Sequence, residues 1–560
     1  MKQLYYNGNI ITMNEQQPYA EAVLMEDGRI VAVGSTEELL EQREGAHLMD
    51  LDGATVLPGF IDSHSHFSSS YIFPRFDPSP VGRIDSVEDL IDYAKECMEK
   101  EPVKEGEWFI GMGYDHALFK GKLHPTKEDL DRISTEVPIV MINTSGWLGV
   151  VNSKLLEDLG ITKDTPNPVG GYIFHDENGE LTGLFQDVAI RDTILLYMPL
   201  PSAETMITAI RRAEQAYASK GYTTVMDGSF EPDMKPLLQL CTGAGLISTD
   251  VLGYVRVASE GKVALEGIAT PEAQYRTHFK VAGAKVILDG SPQIRTAWMT
   301  EPYMQIPEGE AEGYCGHSAF NREEKDILAL FKECMNNRWQ LQMQCNGDAA
   351  IDQCLDLYEQ ALTETGLTED LRPVLIHCQL VREDQLDRMQ KLGIMPSFFH
   401  DHVYYWGDWY EDVVFGKERA ERISPLASAA KRGMRFTIHQ DCPVGPPNAM
   451  LMLHTAVNRL TRTGRPLGTE YAVDVMTALK AMTIDAAYQC FDENIKGSLE
   501  VGKYGDMVIL DRNPLTTPKE NLRDIHVMAT IKEGNIIYQD EDVECVDCIT
   551  EPSDFERPEL

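Results

Sequence analysis

The chain has 560 residues, of which 43% are hydrophobic and 25% charged, the balance of a globular protein with a large buried core. Its formal net charge of −39 repels phosphate backbones and anionic lipid headgroups, which argues against nucleic-acid and membrane-surface partners. The first residues lack the apolar run of a signal peptide, and no apolar stretch is long enough to cross a membrane, so we expect a cytoplasmic protein.

Residues 1–54 are predicted to form short strands, because Asn-Gly and Asp-Gly pairs separate β-branched segments. Residues 491–560 show the same pattern in "GSLEVGKYGDMVILD" and "HVMATIKEGNIIYQDED", before an acidic tail. We therefore predict one small β-sandwich formed from both termini. The tail carries a CxxC at Cys545 and Cys548, but without a second pair nearby a zinc site there is the less favoured interpretation.

Between the termini, residues 55–490 carry apolar runs separated by helical patterns such as "SVEDLIDYAKECMEK", which indicates alternating strands and helices. Eight runs have the character of buried parallel strands, the number that closes a (β/α)8 or TIM barrel. They are Thr55–Asp62, Thr223–Asp227, Thr249–Val255, Ala284–Asp289, Gln340–Gln344, Pro373–His377, Ile394–Phe398 and Arg435–His439.

This assignment makes residues from about 68 to 220 a long insertion after the first barrel strand, with strands of its own in "EWFIGMGYD" and "VPIVMINTS". An insertion at the carboxyl end of a barrel strand lies over the active face, so we expect a lid or a pocket wall. The alternative is that one inserted strand belongs to the barrel.

The first predicted strand ends in "TVLPGFIDSHSHF", where His64 and His66 alternate. Residues i and i+2 of a strand share a face, so the two imidazoles lie side by side and form half of a zinc-type site. Most such pairs bind no metal. The position at the carboxyl end of a buried strand, where barrel enzymes carry out their chemistry, favours a metal site.

Three other strand ends carry candidate ligands. Lys285 interrupts the apolar fourth strand, where a free ammonium would be costly to bury without a partner or a modification. His377 ends the sixth strand, and the eighth delivers His439 and Asp441 on one face. Either histidine alone could be a hydrogen-bonded core residue, but four strand ends that meet at one barrel mouth predict a shared site.

These motifs resemble the amidohydrolase superfamily of metal-dependent hydrolases. The matching segments are "PGFIDSHSHF", "AKVILDGSPQIRTAW", "CNGDAAID", "IHCQLV", "SFFHDHVYYWGD", "DCPVGPP" and "KGSLEVGKYGDMVILDRNP". They occur in the family's order over nearly the whole chain and are similar to the YtcJ-like branch, amidohydrolase family 3, which includes N-substituted formamide deformylase. The resemblance implies a TIM barrel with a flanking β-sandwich.

The resemblance also implies that His64, His66 and Asp441 hold one divalent ion, with Zn²⁺ expected. Lys285, carbamylated by carbon dioxide, would bridge to a second ion held by strand five and by His377 of strand six. Asp441 would act as general base and then general acid, taking a proton from water and passing it to the leaving nitrogen. The expected reaction is hydrolysis of a C–N bond in a small amide, formamide or cyclic amide.

Two positions depart from the family pattern. Gln344 stands at the strand-five position where histidine is usual. A glutamine carbonyl is a weaker zinc ligand than imidazole, so one or two ions per chain are expected. Trp147 stands in the insertion where the family favours histidine, and an indole offers one donor and no acceptor, so substrate contacts there should differ.

Loop residues above the strands are further candidates for substrate contact. His400 and His402 form a second alternating pair, although a packed aromatic loop is an equally good interpretation. Asp289 and Arg295 could position the substrate or the carbamate, or form a salt bridge that caps a loop. His116 could reach the site from the insertion.

Two alternatives for function stay open. A deaminase of a heterocycle would use the same activated water. A non-catalytic ligand-binding or regulatory protein on this fold is favoured by Gln344 and opposed by the retention of His64, Lys285 and Asp441. The expected partner is a small-molecule substrate, and a homodimer is left open.

Overall fold

The computed structural model describes residues 1–73, 84–168, 171–256, 272, 274–307, 310–318 and 323–540. Cys545 and Cys548, with the acidic tail that contains them, lie outside these residues. The described cysteines are free thiols. Of the described helices, none combines the length and the apolar character that crossing a bilayer requires.

The N-terminal region consists of short strands and one short helix. The strands are β1 (Lys2–Tyr6), β2 (Asn9–Ile11), β3 (Tyr19–Ala20), β4 (Ala22–Glu26), β5 (Arg29–Gly34), β6 (His47–Asp50) and β7 (Thr55–Pro58), and the helix is α1 (Thr36–Leu40). Strands β5, β4, β1 and β6 form one sheet in that order. Helix α1 begins with a capping box in which the side chains of Ser35 and Glu38 each accept the other's backbone N–H.

The chain enters the barrel through β8 (Phe60–Ser65) and then leaves it for the insertion. The inserted strands are β9 (Phe109–Tyr114), β10 (Ile139–Asn143), β11 (Leu148–Val151), β12 (Gly171–His175) and β13 (Leu181–Asp187), and the helices are α2 (Val87–Lys100), α3 (Lys127–Asp131) and α4 (Ser153–Leu159). The strands form a separate five-stranded sheet in the order β12-β13-β11-β10-β9. The alternative in which an inserted strand completes the barrel is therefore wrong.

The remaining barrel strands are β14 (Tyr222–Phe230), β15 (Asp250–Arg256), β16 (Phe279–Ile287), β17 (Gln340–Cys345), β18 (Val374–His377), β19 (Met395–Phe398) and β20 (Thr437–Ile438). With β8 they form an eight-stranded sheet whose neighbouring strands are all parallel. At the seam between β8 and β20, the Ser63 hydroxyl donates to the carbonyl of Ile438 at 3.2 Å, so the barrel nearly closes. The predicted α/β barrel is confirmed.

Helices of very different length surround this barrel. They are α5 (Ala203–Ala218), α6 (Lys235–Gly243), α7 (Glu324–Asn336), α8 (Asp348–Thr365), α9 (Glu383–Leu392), α10 (His402–Trp409), α11 (Lys417–Glu421), α12 (Leu426–Lys431), α13 (Ala449–Asn458), α14 (Val475–Ala481) and α15 (Ile484–Gln489). The helix α5 buries Met206, Ile210, Ala213 and Tyr217, each about one helical turn after the one before, as an amphipathic helix packed on a sheet must.

The predicted first strand, Thr55–Asp62, proves to be two strands in different sheets. Thr55–Pro58 pairs with the C-terminal region, whereas Phe60–Ser65 pairs with the second barrel strand. Gly59 separates them, and a Cβ atom at this position would lie 2.4 Å from the side chain of Thr223. Only glycine therefore lets the chain step between the two sheets at this close approach.

The C-terminal strands are β21 (Met507–Leu510), β22 (Val527–Lys532) and β23 (Asn535–Gln539). They join N-terminal strands in a six-stranded sheet of order β23-β22-β21-β7-β2-β3. One buried cluster combines Tyr5 and Val23 of the first small sheet with Val56 and Ile531 of this one. The two sheets thus share a core, and the prediction of β structure built from both termini is confirmed.

A buried ion-pair network joins the barrel to the C-terminal sheet. Asp250, at the start of β15, pairs with Lys496 and, at 2.8 Å, with Lys532 of β22, while Lys532 also pairs with Asp506 at 2.9 Å. His278 approaches the other oxygen of Asp250 at 2.8 Å. Burial alone would raise the pKa of Asp250, but the two ammonium groups hold it well below its usual value.

We predict that Lys532→Met lowers the free energy of unfolding by about 3 to 5 kcal/mol, because it leaves buried carboxylates short of a positive charge. Urea unfolding followed by circular dichroism measures this change. The matched control is Lys163→Met, which removes an exposed pair with Glu180 and should leave the unfolding curve unchanged. Equal curves for wild type and Lys532→Met would show that the network makes no net contribution.

Candidate metal centre

Two histidines from the end of β8 meet one carboxylate at the mouth of the barrel. The Nε2 atoms of His64 and His66 lie 3.4 and 3.2 Å from Oδ1 of Asp441, which follows β20. His64 is fully buried, whereas the His66 side chain keeps 28% of its surface exposed. The structure thus brings the first and last barrel strands together at this carboxylate.

His377, the last residue of β18, joins the cluster from the sixth barrel strand. Its Nε2 lies 4.0 Å from Oδ2 of Asp441, and ligand atoms of His64, His377 and Asp441 all lie within 4.8 Å of one another. Oδ1 of Asp441 is buried and accepts no hydrogen bond. Imidazole nitrogens around an unsatisfied carboxylate oxygen are a donor set that fits a zinc-type ion.

The backbone at two of these residues adopts an unfavourable conformation. His377 has φ +76° and Asp441 has φ +56°, in the left-handed region that residues other than glycine rarely adopt. Such a conformation costs on the order of 1 to 3 kcal/mol and persists where the surrounding structure imposes it, often at functional sites. His377 is the last residue of β18 and Asp441 lies three residues after β20, and this backbone conformation directs both side chains to the cluster.

Burial sets the protonation of the cluster. It lowers the pKa of His64 well below the usual value, and the nearby Lys285 ammonium lowers that pKa further. Burial likewise lowers the pKa of His377, with a further decrease from His439. Both imidazoles are therefore neutral at pH 7, the form in which histidine binds metals. Burial also lowers the pKa of Lys285 to about 7, and its Nζ lies 2.9 Å from Nε2 of His64.

His439 supports the cluster from behind rather than contacting the carboxylate. Its Nε2 lies 3.1 Å from Nδ1 of His377, and its Nδ1 lies 2.9 Å from Oγ of Ser397. A ligating histidine is usually held by a partner on its second nitrogen, and His439 occupies that position for His377. In the sequence, the only signal for this role is its alternation with Asp441.

The cluster opens into a cavity of about 700 Å³ between the barrel mouth and the insertion. Barrel residues on its wall include His66, His377 and Asp441, while the insertion contributes Trp147 and Asp187. A cavity of this size is typical of a small-molecule site.

A comparison with models of known protein families identifies the family of this chain. The model of the amidohydrolase family matches residues 47–538 of this chain. The chain belongs to the amidohydrolase family. It is 26% identical to YtcJ of Bacillus subtilis, over 96% of this chain and 100% of that protein. It is 27% identical to N-substituted formamide deformylase of Arthrobacter pascens, over 95% of this chain and 97% of that enzyme.

Solved structures agree with this fold. The crystal structure of an uncharacterized metal-dependent hydrolase from Pyrococcus horikoshii superposes with a TM-score of 0.72, covering 93% of this chain and 99% of that one at 24% identity. The amidohydrolase barrel with its flanking sheets is therefore shared over nearly the full length.

Six of the residues selected from the sequence line the cavity, five from the barrel and its loops and one from the insertion. They are His66, Trp147, Gln344, His377, His402 and Asp441. Gln344 is the penultimate residue of β17, and its Nε2 donates to the carbonyl of Asp289 at 3.3 Å, so its amide oxygen is the atom left to act as a ligand. His64 and Lys285 lie behind this wall, in contact with the cluster.

The other selected residues lie outside the cavity wall. The Asp289 carboxylate accepts the backbone N–H groups of Trp298, Asn346 and Gly347 at 3.1, 2.8 and 2.7 Å, contacts that organise two loops. His400 approaches the Met452 carbonyl with Nε2 at 2.7 Å.

His116 and Arg295 lie away from the candidate metal ligands. His116 stacks on His124 with ring centroids 3.7 Å apart, and the positive charge of Arg295 is near enough to contribute to the lowered pKa of His116, which burial mainly causes. Arg295 donates to the Gln305 carbonyl at 3.3 Å. The stacked histidines lie within the insertion, and this hydrogen bond lies within the loop after β16.

Sequence reasoning missed Gly228 of β14. A Cβ atom on this residue would lie 1.9 Å from Cε1 of His64, so the imidazole ring occupies the space that any other side chain would need. The position follows an aspartate in "MDGSF" without a recognisable motif, and only the neighbouring strand explains the glycine.

We predict that Gly228→Ala displaces His64 and reduces the metal bound per chain by at least about tenfold, because a ligand removed from a small cluster weakens binding strongly. Elemental mass spectrometry on protein dialysed against limiting Zn²⁺ measures the loss. Gly243→Ala, where a Cβ atom meets nothing within 4 Å, is the matched control and should keep its metal. Full metal content in Gly228→Ala with an intact fold would contradict the role of His64.

Proposed function

We propose that this protein is a metal-dependent amidohydrolase that cleaves a C–N bond of a small amide, formamide or cyclic amide. The observation that carries the proposal is the convergence of His64, His377 and Asp441 within 4.8 Å beside a cavity of about 700 Å³. Similarity to N-substituted formamide deformylase over nearly the full length supports C–N bonds as the target.

In this proposal His64, His66, His377 and Asp441 hold a divalent ion, and Zn²⁺ suits their imidazole and carboxylate atoms. Such an ion supplies a Lewis acid that lowers the pKa of water from about 15.7 towards about 7. The neutral state of the buried imidazoles favours binding, because no proton has to be displaced from them.

Asp441 is the residue that moves protons. Its Oδ1 faces His64 and His66 without accepting a hydrogen bond, and the residue also lines the cavity, so it can reach both water and substrate. As general base it takes a proton from water, and as general acid it returns that proton to the leaving nitrogen. His439 holds the ring of His377 in place during these steps.

In this proposal, Lys285 and Gln344 determine how many ions the site binds per chain. The Lys285 Nζ atom lies 2.9 Å from Nε2 of His64, so a carbamate formed there would place an oxygen ligand beside the histidines. Gln344 offers an amide oxygen where an imidazole would bind more strongly. Elemental analysis of the purified protein distinguishes one ion per chain from two, and mass spectrometry of the intact chain detects a carbamate.

We predict that Asp441→Asn lowers the rate of amide hydrolysis by about 10² to 10⁴ while the protein stays folded, because the amide keeps the shape but cannot accept the proton. Formate release from a panel of N-substituted formamides measures the rate. Asp52→Asn, an exposed position in the N-terminal region, is the control and should keep full activity.

The same assay separates the alternatives. Release of ammonia from a heterocycle, without turnover of any amide, would replace amide hydrolysis with deamination. A protein that binds small amides and metal, but turns over no substrate in either the wild type or Asp441→Asn, would be a ligand-binding protein on the amidohydrolase fold.

A further inference from the structure

Two side chains of the insertion face the cavity as cross-strand neighbours. In the pairing of β11 with β13, Leu148 lies opposite Gln186, and one step further the backbone N–H of Asp187 donates to the Trp147 carbonyl at 2.8 Å. Residues opposite each other in an antiparallel pair point to the same face of the sheet. Trp147 and Asp187 both line the cavity, so they form one surface of its wall.

The charged groups on this wall differ in whether an oppositely charged side chain pairs with them. Arg191 is held by Asp192, with contacts of 2.5 and 3.1 Å, and Arg256 pairs with Glu231 at 3.0 Å. The Asp187 carboxylate accepts one hydrogen bond, from Nε2 of Gln186 at 3.0 Å. Among the described residues, no lysine or arginine forms an ion pair with Asp187.

An uncompensated carboxylate in this position is energetically costly. Asp187 has φ +52° and lies mostly buried, and burial raises its pKa to about 6. The hydrogen bond from Gln186 and the charge of His317 lower this pKa, whereas the charge of Glu310 raises it. At pH 7 the carboxylate is ionised, so a positive charge brought into the cavity would offset the free-energy cost of burying its negative charge.

The adjacent indole suits the same ligand. Tryptophan presents the most electron-rich aromatic face among the natural side chains and attracts ammonium groups placed over its ring. The net charge of −39 adds a long-range attraction for cations. An anionic substrate would instead have to displace Asp192 or Glu231 from its arginine.

We infer that Asp187 and Trp147 form a cation subsite, and that the substrate is a small amide bearing an ammonium or similar cationic group. The inference rests on the proposed function for the bond that is cleaved. Asp187 and Asp441 line one cavity, so a single molecule can place its cation at the subsite and its amide at the metal ligands.

A pair of substrates of the same shape tests this subsite on the metal-loaded wild-type protein. N-formyl-1,4-diaminobutane carries an ammonium where N-pentylformamide carries a methyl group. We expect kcat/KM to favour the ammonium compound by roughly ten- to a hundredfold, as charge-assisted contacts predict. Asp187→Asn should abolish this preference, and Asp164→Asn, in an exposed loop of the insertion, should preserve it.

Binding provides a second measurement that does not depend on turnover. Titration calorimetry with n-pentylammonium should show binding to the wild type and at least about tenfold weaker binding to Asp187→Asn. If neither formamide is cleaved but this difference is found, the proposed reaction fails and the subsite stands. Equal kcat/KM for the two formamides, or n-pentylammonium binding that Asp187→Asn leaves unchanged, overturns the subsite.

Discussion

Parallel pairing of eight strands in a nearly closed sheet is the constraint on which the rest of this protein depends. All strands then end at one mouth, so side chains from distant parts of the chain meet there. His64, His377 and Asp441 come from the first, sixth and eighth strands and approach within 4.8 Å. Without this closure, each would be a separate polar residue at the end of its own strand, too far from the other two to form one cluster.

The two ends of the barrel handle buried charge in different ways. At the end joined to the flanking sheets, the carboxylate of Asp250 is compensated by two lysines of the same chain, which makes a permanent connection. At the mouth, Asp441 lies beside the neutral imidazoles of His64 and His377 and keeps an oxygen without a hydrogen bond. A buried carboxylate that the chain's own lysines neutralise contributes to structure. A carboxylate without such a partner leaves a place for an ion and a reacting molecule.

The insertion forms part of the wall of a cavity whose histidine and aspartate cluster the barrel assembles. Its sheet brings Trp147 and Asp187 to the cavity wall, while Thr144 donates its hydroxyl to the carbonyl of Val444 at 3.0 Å and ties the insertion to the loop after β20. In the proposed function, the chemistry and the choice of substrate thus reside on separate parts of the fold. This separation lets one barrel serve many reactions through changes in its inserted segments.

The sequence by itself determined the alternation of eight barrel strands with helices, the alternation of His64 with His66 and of His439 with Asp441, and the membership in the amidohydrolase family. Periodicity and local motifs carry that information because they reflect contacts within one strand or helix. Only the tertiary structure decided the split at Gly59, the support of His377 by His439, the space that Gly228 leaves for His64, and the exposure of Asp187 to the cavity. Each of these depends on which strands become neighbours, and packing between segments far apart in the chain leaves no pattern within either segment alone.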